Sequence, residues 1–175
     1  MTELLVLCTG NAARSVMAGF MLEHLRGDGA DADLRIVTAG THTIDGQPMG
    51  LRTRSALSTI PELAGAAFGG HRSRQVHEKD LLRADLVVAM EADHVRFVRR
   101  EFPEAAARTA TIRRLCLALP TGPPGLAQRV AEVRLADAPL SDHEDVIDPA
   151  GGDDTTYVAC VAELWALCQK LVTLL

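Results

Sequence analysis

The chain has 175 residues, a length that suits one domain spanning 1–175, and its 47% hydrophobic content supplies a core that must be aliphatic, because only 3% of residues are aromatic. The formal net charge is -5 and no run of Lys or Arg stands out, so composition gives no reason to expect nucleic-acid binding. Met1 to Glu3 lead directly into an apolar run, with no basic segment followed by an apolar one, and no stretch reaches membrane-spanning length; a soluble, cytoplasmic protein with no membrane partner is expected.

Leu4 to Leu7 is a short continuous apolar run, the pattern of a buried parallel strand. From Ser15 the periodicity becomes helical, with Val16, Met17, Phe20, Met21 and Leu25 on one side and Gly27 and Gly29 ending the helix. Leu34 to Thr38 reads as a second strand, Ala39 to Gly50 as a loop rich in Gly, Thr and Pro, and Arg52 to Leu57 as a short helix. Asp80 to Arg83 marks a helix end, Asp85 to Met90 a third strand, and Asp93 to Arg100 a helix that Pro103 stops. Thr109 to Ile112 is a weaker fourth strand. Leu119 to Pro139 holds four prolines and two glycines around a helical patch, Leu126 to Val133, and reads as an insertion at about 119–140. Thr155 to Leu174 is a long amphipathic helix with Val158, Val161, Leu164, Trp165 and Leu171 on its apolar side. Strands alternating with helices predict an α/β fold of three layers around a parallel sheet.

The four cysteines, Cys8, Cys116, Cys160 and Cys168, form no CxxC pair and fit neither a zinc site nor a disulfide framework. Cys160 and Cys168 are eight apart on one helix face and read as core, as does Cys116. Cys8 is different, because it ends a strand and Arg14 opens a helix six residues later. Between them lie Thr9, Gly10, Asn11, Ala12 and Ala13, with Ser15 just beyond. Successive backbone N–H groups and a helix N-terminus aimed at one spot make an anion site. Gly10 and Asn11 tolerate the positive φ of a tight cradle. Arg14 supplies a planar fork for two phosphate oxygens. The same field favours the thiolate of Cys8, the nucleophilic form, and Ser15 can donate a hydrogen bond to its sulfur.

Further segments extend the pattern. Cys8 to Ser15 resembles the phosphate loop of the low-molecular-weight protein tyrosine phosphatases, and Thr38-Ala39-Gly40-Thr41 is similar to the segment that follows the second strand in that family. His71-Arg72-Ser73-Arg74-Gln75-Val76 resembles its His-x-x-Arg-Gln segment, Ala84 to Glu91 its third strand with an acidic end, and Asp148-Pro149 its general-acid loop. The resemblance implies a four-stranded parallel sheet in order 2-1-3-4, a phosphocysteine intermediate, and neither metal nor cofactor. It also implies phosphoprotein or phosphotyrosine peptide substrates, with phosphate, vanadate or sulfate as inhibitory anions. Under it His71 supports Asn11, and Asp148 protonates the leaving oxygen. On spacing alone Asp142, Glu144, Asp145, Asp153 and Asp154 crowd the same region as Asp148; they are expected to cap the last helix or stay solvated. His24, His42, His77, His94 and His143 show no ligand spacing and are expected at the surface.

The chain departs from the family in two respects. Ala12 and Ala13 stand where many members place a second Cys beside the loop. Ala150-Gly151-Gly152 and His42-Thr43-Ile44 occupy the rim, so no aromatic clamp for a tyrosine ring is visible. Three other activities therefore stay open: a phosphoarginine phosphatase, a thiol-dependent arsenate reductase, and a catalytically silent phosphate-binding module. The reductase needs a relay of cysteines, and Asp80 to Arg100 contains none.

Overall fold

The computed structural model describes residues 2–27 and 34–175. Its centre is a parallel sheet of four strands, β1 (Thr2–Cys8), β2 (Leu34–Gly40), β3 (Leu86–Ala89) and β4 (Thr109–Thr111), in the order β2-β1-β3-β4. β1 lies between β2 and β3, with Leu4 opposite Ile36 on one side and Leu86 on the other. That position explains its composition: a strand covered on both faces has no solvated side to alternate with, and Leu4 to Leu7 are all 0% exposed. Each such buried Leu or Val contributes roughly 1.5–3 kcal/mol of transfer free energy.

Seven helices surround the described sheet: α1 (Arg14–Leu25), α2 (Leu51–Leu57), α3 (Glu78–Arg83), α4 (Ala92–Glu101), α5 (Ile112–Ala118), α6 (Leu126–Glu132) and α7 (Asp154–Val172). Two apolar clusters fill the layers, one built on Leu4, Val6, Met17 and Met21, the other on Leu5, Leu7, Val87 and Val98. Alternate residues of β1 thus feed opposite faces, as its pleat requires. α7 packs along α1, with Cys160, Val161, Leu164, Cys168 and Leu171 buried. Cys160 Sγ lies 3.9 Å from Met17 Sδ.

The fold is the one expected, and its element ends differ. β2 continues two residues past Thr38, because Ala39 and Gly40 stay in register with Leu7 and Cys8. β3 is shorter at both ends than Asp85 to Met90. Thr111 is the last residue of β4, opposite Ala89, and at the same time caps α5, a helix that the apolar run after it does not announce. Val158, expected on the apolar side of α7, is 43% exposed, because it lines an open groove between α2 and α7. Gly27 ends α1 with a φ of 63°, while Gly29 lies outside the described residues.

Candidate active site

The loop from Cys8 to Ser15 joins the buried end of β1 to the start of α1. Its carbonyls are tied outward one after another. Cys8 O accepts from Thr41 N at 2.9 Å, Thr9 O from His42 N at 3.0 Å, and Gly10 O from Thr43 Oγ1 at 2.6 Å. Asn11 O lies 2.9 Å from His71 Nε2, and Ala12 O accepts from Thr53 Oγ1 at 3.1 Å. A peptide whose carbonyl is anchored outside presents its N–H inside, so these five anchors shape a concave ring of donors. Among the described residues no acceptor partners the N–H groups of Asn11, Ala12 or Ala13. α1 also lacks a side-chain cap and has no acidic residue in its first turn, whereas Thr111 caps α5 and Asp153 caps α7. The N-terminal donors and positive dipole end of α1 are thereby left for an anion.

Asn11 is the hub of the ring. Its φ of 47° turns the loop, and the residue is 0% exposed. Asn11 Nδ2 donates to Ser15 Oγ and to Thr38 Oγ1, both at 3.0 Å, and Asn11 Oδ1 accepts from Arg74 N at 3.0 Å. Ser15 Oγ, accepting from Asn11, keeps its hydrogen for Cys8 Sγ, 2.9 Å away. His71 donates to a carbonyl, a role the neutral ring fills; burial, above all, lowers its pKa. Cys8 through Ser15, which sequence spacing groups together, and the distant His71, which the resemblance assigns to Asn11, are therefore brought to one place.

Arg14 is 3% exposed, with Nη1 bonded to Glu91 Oε2 and Nη2 to Asp148 Oδ2 at 3.0 Å. Burial opposes its charge, but the hydrogen bond to Glu91 and the Glu91 and Asp148 carboxylates outweigh that and raise its pKa above the ordinary value. The structure also separates Asp148 from its acidic neighbours. Glu144 pairs with Arg114 and accepts from Thr111, Asp145 Oδ1 accepts from Ala92 N at the start of α4, and Asp153 caps α7. Asp145 thus serves α4 and Glu144 serves α5; neither caps the last helix or stays solvated as expected. Asp148 reaches the site, half exposed, with Pro149 buried behind it.

His94 corrects a further expectation. It is 2% exposed beneath the loop, with Nε2 3.0 Å from Thr9 Oγ1 and 3.2 Å from Glu91 Oε1. Glu91 and His94 form an i, i+3 pair directly after β3, a spacing that carries a weak signal for a shared function. Thr43 and Thr53 carry no such signal, because each acts from a different segment, whereas Thr38 and Arg74 lie in the segments that resemble the family. The other thiols are withdrawn from chemistry: burial pushes Cys116 up to about 11, Cys160 up to about 12, and Cys168 higher still. Cys116 is only partly buried. Among the described residues no cluster of three or more His, Cys, Asp or Glu is arranged to hold a metal ion, and no helix is long and apolar enough to cross a membrane.

Beside the loop an open groove of about 750 Å³ is lined by Gly10, Ala12, His42, Ile44, Gln47 and Gln75, among others. Ile44 is 74% exposed there, and the His42 ring meets Phe97 edge-on at 5.4 Å. The rim therefore offers an imidazole, amides and an aliphatic side chain.

A cysteine under a ring of inward N–H groups, at the carboxyl end of a parallel strand and beside a carboxylate-braced arginine, defines a cysteine-based phosphatase on an α/β sheet. Residues 3–119 match the family described as low molecular weight phosphotyrosine protein phosphatase, and the chain belongs to that family. It is similar to the protein-arginine-phosphatase of Geobacillus stearothermophilus, 26% identical over 169 residues, covering 97% of this chain and 93% of that one. The low molecular weight protein-tyrosine-phosphatase YfkJ of Bacillus subtilis (strain 168) is 31% identical over 100 residues, 57% of this chain and 62% of its own. Among solved structures, a low molecular weight protein tyrosine phosphatase from T. tengcongensis superposes with a TM-score of 0.74 at 27% identity, over 98% of both chains.

Proposed function

We propose that this protein hydrolyses phosphomonoesters carried on other proteins, phosphotyrosine first among them, through a phosphocysteine at Cys8. The observation that supports this most is the ring of outward-anchored carbonyls, which turns the N–H groups of the loop toward the space between Cys8 and Arg14. In the first step Cys8 Sγ attacks phosphorus, the P–S bond forms, the ester P–O bond breaks, and Asp148 delivers its proton to the departing oxygen. Arg14 and the N–H groups hold the equatorial oxygens, where negative charge accumulates. In the second step Asp148 takes a proton from water, the water oxygen bonds to phosphorus, and Cys8 leaves as a thiolate that the Ser15 hydroxyl stabilises at 2.9 Å. Thr9, Gly10, Asn11, Ala12 and Ala13 shape the cradle, and Ser15 and His71 support it. Phosphate, vanadate and sulfate would occupy the same ring as inhibitors. A cytoplasmic setting, where the thiols stay reduced, is part of the proposal.

Phosphoarginine is the second reading. It is favoured by the rim, which lacks an aromatic clamp, and by the arginine phosphatase similarity that spans nearly all of both chains. Turnover of p-nitrophenyl phosphate without added metal tests the chemistry. Cys8→Ser should keep vanadate binding and lose at least about a thousandfold in turnover, since a serine hydroxyl is not ionised near neutral pH. Substantial residual turnover would remove Cys8 as nucleophile. Competition between phosphotyrosine and phosphoarginine peptides then decides the substrate, and a phosphoarginine advantage would displace the first reading.

A further inference from the structure

His94 takes no part in the chemistry proposed above, yet it is nearly sealed from solvent and lies between two parts of the phosphate cradle. Its Nε2 is 3.0 Å from Thr9 Oγ1, on the residue that follows the nucleophile, and 3.2 Å from Glu91 Oε1. The other oxygen of the same carboxylate, Glu91 Oε2, holds Arg14. One ring nitrogen therefore faces both the loop and the group that braces the guanidinium.

The protonation state follows from these partners. A lone pair on Nε2 would face a carboxylate oxygen at 3.2 Å and be repelled by it, so the proton belongs on Nε2, where it also reaches Thr9 Oγ1. Nδ1 then carries the lone pair, and among the described residues it is buried without a partner. The other tautomer would place a donor where no acceptor stands and turn a lone pair toward Glu91. An imidazolium would add the same orphan donor and a second cation beside Arg14. Burial first, then the Arg14 charge, accordingly lowers the ring's pKa to about 3, against the opposing pull of Asp148 and Asp93. A buried nitrogen without a partner costs stability, and an apolar residue would fill the space without that cost. What the ring supplies, and an apolar side chain does not, is an uncharged donor. A lysine would also donate, but its charge would compete with Arg14 for Glu91.

We propose that His94 is a positioning residue whose neutral Nε2–H fixes the Glu91 carboxylate and the Thr9 end of the loop, so that Arg14 is aimed at the phosphoryl group. The proposal rests on Arg14 being the phosphate clamp. Its consequence is a loss of anion grip when the donor is removed, with the shape of the core retained.

The experiment compares His94→Phe, His94→Gln and Arg14→Ala with the unmodified protein. It measures the vanadate inhibition constant, KM and kcat for p-nitrophenyl phosphate, and the melting midpoint. His94→Phe fills the space and removes the donor, and should weaken vanadate and raise KM about tenfold, as Thr9 loses its hydrogen bond and the Glu91 carboxylate the N–H that faces it. His94→Gln offers an uncharged N–H and should recover most of both. Vanadate binding by His94→Phe within about twofold of the unmodified protein, with Arg14→Ala impaired, would overturn the positioning role alone. Equal weakening in the Phe and Gln variants would overturn the donor. Normal vanadate binding by Arg14→Ala would remove the clamp, and the His94 proposal with it.

Discussion

The residues of the site divide the labour by charge. Arg14 carries a permanent positive charge that two carboxylates share, and Asp148 is the one that also faces solvent. If Asp148 protonates the leaving group, its loss must matter most where the leaving oxygen is most basic. Asp148→Ala should therefore slow phenyl phosphate about a hundredfold and p-nitrophenyl phosphate about tenfold or less, because nitrophenolate departs with less help. Equal small effects on the two substrates would reassign the acid. His94 gives a second test at this scale. The unfolded chain takes up a proton on histidine near 6.5, whereas the folded one refuses it until about 3. Between those values the unfolded state binds more protons, so the contribution of His94 makes stability rise with pH up to about 6.5 and level off above. Urea midpoints at about pH 5 and about pH 7 should differ more in the unmodified protein than in His94→Gln, and equal differences would contradict the burial of a neutral ring.

At the scale of elements, two glycines allow the close approaches on which the site depends. Gly40 ends β2 beside the loop, and a Cβ there would stand 2.6 Å from the Thr9 carbonyl oxygen. Backbone cannot yield as a side chain can, so Gly40→Ala should displace the cradle. A loss of about 1–3 kcal/mol in stability is expected, together with a larger KM for aryl phosphates. Unchanged KM in a folded variant would show that the loop tolerates the shift. Gly19 acts on the other side: α1 crosses β2 so closely that a Cβ would meet Thr38 Cγ2 at 2.6 Å, and Thr38 Oγ1 is the partner of Asn11. The loop that carries Asp148 is set in the same way, between neighbours. Val146 N donates to Met90 O at 2.8 Å, Ile147 N to Glu163 Oε2 at 3.2 Å, and Arg52 Nη1 to Gly152 O at 2.8 Å.

Across the whole molecule, the segment from Leu119 to Pro139 is joined to the rest by apolar packing and by arginines, with Arg99 donating to Leu135 O and Ala138 O and Arg114 to Pro139 O. Arg129 is 5% exposed and donates to the carbonyls of Pro120, Pro124, Leu174 and Leu175, while Val130 and Leu135 enter the main core. We infer from this that residues 119–140 belong to a single domain with the rest and act on stability, far from the chemistry. Arg129→Met should lower stability by about 2–4 kcal/mol through unpaired buried carbonyls, with kcat/KM unchanged. Impaired catalysis at full stability would place that segment in the function.

The cysteine, the arginine six residues on and the alternation of strand and helix were legible in the chain itself, because local φ/ψ demands and hydrophobic periodicity are written over short spans. So was the sheet order, through the resemblance carried by five short segments. The burial of His94, the separate duties of Glu144 and Asp145, and the helix after β4 were not. Each depends on what a side chain meets across the fold, as when Thr111 serves both strand and cap or when Glu91 brings Arg14 and His94 to one carboxylate. The primary structure thus determined the proposed nucleophile and the loop around it, which are neighbours in the chain. The resemblance at Asp148-Pro149 pointed to one of six crowded acids, but spacing did not, and only tertiary structure brought Asp148 and Glu91 onto the arginine, because those contacts span 134 and 77 residues.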